Sequence, residues 1–211
     1  IHNVYGLYWD RTVTEEFNRR NPDRRLFQMT RAAFSGMQRY CFSWTGDSGD
    51  SRRMTDSWEQ FAYQIPMMLS AGLGGVPFIT GDITGYCGTI EDYEDAAELY
   101  VRWMQFGLFT PLSRSHHEGN TAVEPWMFPP YAMQAAKKAI DLKYTLLPYI
   151  YTCAREAYET GLPIMRAMFL EFPEDRECRR QDFQFMFGPS LLVAPVVEQG
   201  ATTREVYLPK G

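Results

Sequence analysis

Two aspartates stand in the same tripeptide, Thr45-Gly46-Asp47 and Thr80-Gly81-Asp82, and each tripeptide closes an apolar, aromatic-rich run and opens a polar, turn-like stretch. A strand that runs into a loop in this way leaves its last polar side chain at its carboxyl end, the rim on which a (β/α)8 barrel carries its chemistry. Each carboxylate can accept hydrogen bonds from two hydroxyls, so two of them on neighbouring strand ends point to a polyol-binding pocket. Other strand-like runs end in Thr30-Arg31 and in Ser113-Arg114-Ser115-His116, so these ends are polar as well. His116-His117-Glu118 admits a second chemistry, metal-assisted hydrolysis. The spacing weighs against it, because helical zinc hydrolases need H-E-x-x-H on one helix face and adjacent loop histidines do not easily reach one ion. No metal and no cofactor is expected.

The elements that must hold these groups alternate between strand-like and helix-like, which implies an α/β architecture. A helical stretch from Val4 to about Arg19 precedes β-compatible runs over Arg25–Ala33 and Tyr40–Trp44. Asp56, three residues ahead of Glu59, resembles a capping box, and Phe61, Ile65, Met68 and Leu69 follow with helical spacing until Gly72–Gly75 stops them. A third strand is expected over Val76–Ile79. Ala96, Ala97, Tyr100, Trp103 and Met104 mark one face of a helix over Tyr93–Phe106, and Leu108–Leu112 reads as a fourth strand. A loop with Pro125, Pro129 and Pro130 leads to a long helical pattern from Tyr131 to Thr160, interrupted at Pro148 and closed by Gly161. Beyond it come short β-like runs at Pro163–Phe172, Phe183–Phe187, Leu191–Val197 and Glu205–Leu208, the pattern expected at the start of a β-sandwich.

Composition sets the outer bounds. With 211 residues, 45% apolar and 15% aromatic, the chain has ample material for a core. A net charge of −5 with both signs interspersed argues against nucleic acid, whose binders concentrate Lys and Arg. Apolar runs such as Leu191–Val197 are far short of the roughly 20 residues a bilayer span needs. Cys41, Cys87, Cys153 and Cys178 show no C-x-x-C pairing and are expected to be buried thiols. The chain begins at Ile1 and not at Met, so an upstream segment is expected. About four βα-type units are present where a closed barrel has eight. Either the fold is a smaller open sheet or the chain is the C-terminal part of a larger catalytic domain.

Nearly the whole chain resembles, in order, the second half of the catalytic barrel of glycoside hydrolase family 31, which includes α-glucosidases and α-xylosidases. The matching segments are His2-Asn3-Val4-Tyr5-Gly6, Thr30-Arg31 with Gln38-Arg39-Tyr40, Trp44-Thr45-Gly46-Asp47, Pro77-Phe78 with Gly81-Asp82-Ile83, Arg102-Trp103-Met104-Gln105, Ser113-Arg114 with His116, Tyr144-Thr145-Leu146-Leu147-Pro148-Tyr149, and Leu192-Val193-Ala194-Pro195-Val196. The resemblance implies the C-terminal half of a (β/α)8 barrel over 1–165, followed over 166–211 by the beginning of a β-sandwich domain. It also implies a retaining hydrolase of terminal α-linked glucosyl residues, with an oligosaccharide or glycoside as partner. An α-xylosidase or α-transglucosylase of the same family, or a non-catalytic sugar-binding module, are the alternatives.

By the same resemblance Asp47 is the general acid/base. A retaining glycosidase needs one carboxyl that starts protonated and a second, about 5–5.5 Å away, that attacks the anomeric carbon. Trp44 supplies an apolar wall that would favour the protonated form. Without the resemblance Asp47 reads rather as a helix cap after a tight turn. Arg31, Asp82 and His116 match sugar-binding residues, and Trp44 and Tyr86 would line the pocket. The bland readings are a structural ion pair for Arg31, a loop histidine for His116 and core packing for Tyr86. The family's nucleophilic aspartate has no counterpart here, since Asp10 in Tyr8-Trp9-Asp10-Arg11 sits in a helical context. The nucleophile is therefore expected upstream, and the chain alone is expected to be inactive. Ser48–Thr55, longer than the usual acid/base loop and carrying Asp50 and Arg52-Arg53, is expected to reshape the leaving-group side.

Overall fold

The computed structural model describes residues 1–32, 34–119 and 121–210; Ala33, the last residue of the Arg25–Ala33 run, and Gly211 lie outside them. Helix α1 (Tyr5–Arg20) leads to β1 (Met29–Thr30) and β2 (Phe42–Trp44); α2 (Trp58–Leu73) follows, then β3 (Ile79–Thr80) and β4 (Asp82–Ile83). Helix α3 (Tyr93–Gly107) precedes β5 (Arg114–Ser115), and α4 (Pro130–Thr145) and α5 (Leu147–Thr160) complete this part. β1, β2 and β3 pair in parallel, with Thr30 opposite Ser43 and Trp44 opposite Thr80. β4 and β5 are also parallel, with Asp82 opposite Arg114. Consecutive parallel strands joined through outer helices are the repeating unit of a barrel wall.

The helices stick to this wall through the faces their spacing marks out. Phe61, Ile65 and Met68 of α2 and Ala96, Tyr100 and Trp103 of α3 are all but inaccessible, with Phe61 stacked on Trp103 at 5.0 Å between ring centroids. Tyr100 stacks on Phe128 at 3.7 Å, which fixes the loop ahead of α4 against α3. The C-terminal part is an antiparallel sheet of β6 (Met165–Ala167), β7 (Phe185–Phe187) and β8 (Leu191–Val193), with a short helix α6 (Met168–Glu171) after β6. Phe185 and Phe187 enter the same core, edge-on to Phe106 and Phe109. No described helix is long and apolar enough to cross a membrane.

Several sequence expectations are corrected. The fourth strand is at Arg114–Ser115 and not over Leu108–Leu112. The earlier run folds as turns at the end of α3, where Phe109 and Thr110 donate to Phe106 and Gly107 and the Ser113 hydroxyl also reaches Gly107. Lys143 of α4 donates to the carbonyls of Leu108 and Thr110, so the groups a strand partner would need are already taken. The long helix divides at Leu146, with Pro148 in the first turn of α5 where its missing N–H costs nothing. The Asp56 capping box does not form. Asp56 belongs to a 3-10 turn, Ser57 is the N-cap, and its hydroxyl accepts from the Asp50 N–H at 2.8 Å. Pro163–Phe172 is half strand and half helix, β8 stops at Val193, and Glu205–Leu208 is not a strand. Of the four free cysteines, Cys87 is only half-buried.

Candidate functional site

Local chain geometry brings the strand-end groups together. Thr45 continues β2 by donating its N–H to Thr80, and Gly46, at φ 84°, turns the chain so that Asp47 follows at the rim. That backbone conformation is open to glycine and strained for a side chain with a Cβ. Arg31, one residue past β1, donates from Nη1 to Oδ2 of Asp47 at 2.8 Å. The Asp47 side chain is 34% exposed. Its hydrogen-bond partner is thus the guanidinium of Arg31. The Trp44 indole also carries the Arg114 guanidinium, 4.9 Å from its ring centroid.

Asp82 opens β4 and is fully buried. Directly across the β4–β5 ladder, Arg114 contacts its Oδ1 from Nε at 2.7 Å and from Nη2 at 2.5 Å. Burial pushes the Asp82 carboxyl up from the ordinary carboxylate range, the Arg114 guanidinium pulls it back, and the charge of Asp47 adds to the upward push. The last influence marks the two acids as electrostatic neighbours. Oδ2 of Asp82 and Nε1 of Trp44 are both buried without a hydrogen-bond partner among the described residues. A buried acceptor and a buried donor left without partners are expensive unless a polar ligand serves them.

After Asp82 the chain makes a tight turn closed by Gly85 N–H donating to Asp82 O at 2.9 Å. Thr84 takes φ 80° within it, an uncommon conformation for a β-branched residue and one that costs about 1–3 kcal/mol. The turn delivers Tyr86, whose ring contacts that of His116 at 5.1 Å between centroids. His117 points elsewhere: Nδ1 lies 2.9 Å from Gly85 O and Nε2 2.5 Å from Gly88 O. The two histidines diverge, which is not the arrangement of a chelate. Arg31, Trp44, Thr45 and Asp47 line one cleft of about 490 Å³. A larger one, about 720 Å³, lies between α2 and the C-terminal segment, lined by Trp58, Phe183, Val196 and Val197, and carries no strand-end acid.

The structure thus pairs Arg31 with Asp47, sets Trp44 against the partner of Asp82, and packs Tyr86 on His116. Sequence reasoning missed the role of Arg114, although Ser113-Arg114 precedes His116 by the two-residue step that puts alternate residues on one face of a strand. It also missed Gln64 of α2. Thr45 Oγ1 lies 2.5 Å from Gln64 Oε1, and a Cβ at Gly81 would come within 2.5 Å of the same atom, so this buried amide closes in on both Thr-Gly-Asp segments.

Residues 1–153 match the model of the glycosyl hydrolases family 31 TIM-barrel domain, and residues 161–211 match that of the glycosyl hydrolase family 31 C-terminal domain. A probable glucan 1,3-alpha-glucosidase of Oryza sativa subsp. japonica is 40% identical over 211 residues, 99% of this chain and 22% of that protein. The lysosomal alpha-glucosidase of Mus musculus is 40% identical over 212 residues, 100% of this chain and 21% of that protein. The chain therefore spans about a fifth of the length of these relatives. Among solved structures, a Flavobacterium johnsoniae family 31 dextranase complexed with glucose superposes with a TM-score of 0.98 at 62% identity, covering 100% of this chain and 26% of that one. A family 31 alpha-xylosidase from a soil metagenome, complexed with xylose, gives 0.88 at 30% identity, over 99% of this chain and 33% of that one. With a barrel-domain model matching most of its residues and a C-terminal-domain model most of the rest, the chain belongs to glycoside hydrolase family 31.

Proposed function

We propose that this chain supplies the acid/base half of the active site of a retaining glycoside hydrolase that acts on terminal α-linked glucosyl residues of oligosaccharides. The observation that carries the reading is the pair of strand-end acids, each held by an arginine: Asp47 by Arg31, and Asp82 by Arg114. Asp47 protonates the glycosidic oxygen as the bond to the anomeric carbon breaks. It then takes the proton of the water that releases the glycosyl-enzyme. The attacking carboxylate is contributed from outside this chain. Asp82, through its orphaned Oδ2, accepts from a sugar hydroxyl, and His116 and Arg31 donate to the same sugar. Trp44 and Tyr86 form the walls. The 62% identity to a dextranase supports α-linked glucan as the substrate class.

Asp50 is the nearby acid that could compete for the proton-transfer role, and its surroundings disqualify it. Its Oδ1 accepts from the Arg52 N–H at 2.8 Å and the Arg53 N–H at 3.4 Å, and the Arg52 backbone donor holds its carboxyl below the ordinary range. That oxygen is committed to the turn of its own loop, whereas the Asp47 side chain accepts from no described backbone N–H of its loop.

The test is made in the complete protein. Asp47→Asn slows hydrolysis of isomaltose by roughly 10²–10⁴-fold, the usual contribution of a positioned acid/base, whereas Asp50→Asn keeps its turn and changes little. A nitrophenyl α-glucoside, whose leaving group departs unprotonated, is glycosylated far less impaired, and azide restores turnover as a glycosyl azide. Absence of azide rescue together with a larger loss in Asp50→Asn would falsify the assignment. An aryl α-xyloside turned over faster than its α-glucoside would replace the glucosidase reading with the xylosidase one.

A further inference from the structure

The loop that carries Asp47 is held by its neighbour more than by itself. Tyr86 N–H and Cys87 N–H both donate to Ser48 O, at 2.7 and 2.9 Å, on the residue next to Asp47. Further along, Met54 N–H donates to Thr89 O at 2.9 Å, and the Thr89 hydroxyl donates to Arg52 O at 2.8 Å. The two backbones leave no room for side chains between them. A Cβ at Gly49 would stand 2.7 Å from Cys87 O, and one at Gly88 would stand 2.6 Å from Asp50 O.

The loop after β4 is gripped in turn from its other side. His117 places its two ring nitrogens on the carbonyls of Gly85 and Gly88, while Glu118 N–H donates to Tyr86 O at 2.8 Å and Glu118 Oε1 accepts from Gly88 N–H at 3.2 Å. The Gly85 carbonyl that His117 takes lies in the same peptide unit as the Tyr86 N–H that holds Ser48, the Tyr86 carbonyl that Glu118 takes lies in the unit of the Cys87 N–H, and the Gly88 carbonyl lies just beyond. A continuous line of hydrogen bonds thus runs from His117 through residues 85–88 to Ser48 and the Asp47 loop. An acid/base displaced by about 1 Å loses on the order of 10²-fold in rate.

We infer that His117 is a positioning residue for Asp47: it touches no substrate, and it fixes the register of the 85–88 loop that sets where the Asp47 carboxyl stands. The inference rests on the reading of Asp47 as acid/base.

In the complete protein, His117→Ala is expected to lower kcat/KM on isomaltose by roughly 10–100-fold, the scale of a misplaced catalytic group. On nitrophenyl α-glucoside the fall is expected to stay under about threefold, with KM little changed and azide raising kcat, because only proton transfer is impaired. His117→Gln retains a donor for Gly88 O and recovers part of the loss. An equal fall on both substrates, a change confined to KM, or no change overturns the inference. Should His117→Ala fail to fold, Gly49→Ala wedges the same seam from the Asp47 side and must show the same leaving-group dependence; a uniform loss there overturns it as well. Asp47→Asn measured alongside separates the two claims. If that variant lacks leaving-group dependence, the acid/base reading fails and takes this one with it. If it shows the dependence and neither the His117 nor the Gly49 variant does, only the positioning role is lost.

Discussion

Asp82 and Lys143 are both charged groups pressed into apolar surroundings, and only one belongs to the site. Burial pushes the Asp82 carboxyl up and pulls the Lys143 ammonium down to about 8. Perturbed titration alone would nominate either. Surroundings decide between them, since Asp82 is paired with Arg114 and feels the charge of Asp47, while Lys143 binds the carbonyls of Leu108 and Thr110 in the turns that follow α3. Lys143 therefore fixes the chain before β5. A lysine that is about 8 in the fold and about 10.4 in the unfolded chain keeps its proton longer when unfolded, so between those pH values stability rises with pH. Below about 8 both states are protonated and the group contributes no slope. The expected result is that the thermal midpoint of Lys143→Met, relative to the parent, falls steadily from pH 8 to about 10.4 and is flat below. A parallel course for the two proteins across that range refutes the assignment of Lys143.

Element by element, the sequence was most legible where apolar period and turn residues agreed. The face of α3 from Ala96 to Met104, the stop of α5 at Gly161 with φ 80°, and the polar ends of β1 and β2 all followed from spacing and glycine. The fourth strand was misplaced because Leu108–Leu112 is apolar for another reason: it wraps the end of α3 beneath Lys143, a tertiary contact no local pattern reveals. The site was legible as residue types at strand ends. Its pairings were not, since that Arg114 meets Asp82 and Trp44 depends on strand register, which short two-residue strands leave unmarked. Glycines show the same division. The Gly72–Gly75 stretch does end α2, at Leu73, yet Gly72 itself is the last buried position inside the helix, and a Cβ there would stand 2.9 Å from Pro163 Cβ. Helix propensity would reward Gly72→Ala by up to about 1 kcal/mol, whereas overpacking against a rigid ring costs about 1–3 kcal/mol. The clash wins. Gly72→Ala is expected to lower the thermal midpoint, and a variant more stable than the parent would show that α2 and the Pro163 segment are free to separate.

At the scale of the molecule, the barrel helices and the antiparallel sheet share one core. Phe106 and Phe109 meet Phe185 and Phe187, and the Tyr149 hydroxyl of α5 donates to Phe187 O at 2.7 Å. Arg166 of β6, only 1% exposed, closes this junction. Its guanidinium is shared between Glu156 of α5 and Glu171 of α6, and its Nε donates to Pro163 O at 2.9 Å. Burial pulls this guanidinium down, the two carboxylates more than offset that, and the net shift is upward. Removing the cation leaves two partly enclosed carboxylates facing each other, a change that costs about 3–5 kcal/mol when the pair is fully buried. Because the side chains of Glu156 and Glu171 keep 35% and 23% of their exposure, the lower end applies. Arg166→Met is thus expected to speed exchange of the α5 and β7 amides together by on the order of 10²-fold, the equivalent of about 3 kcal/mol in local opening. Adding Glu156→Gln and Glu171→Gln removes the repulsion and is expected to return most of the protection. If the β7 amides lose protection while those of α5 keep theirs, the two parts open independently and the shared core is not one cooperative unit.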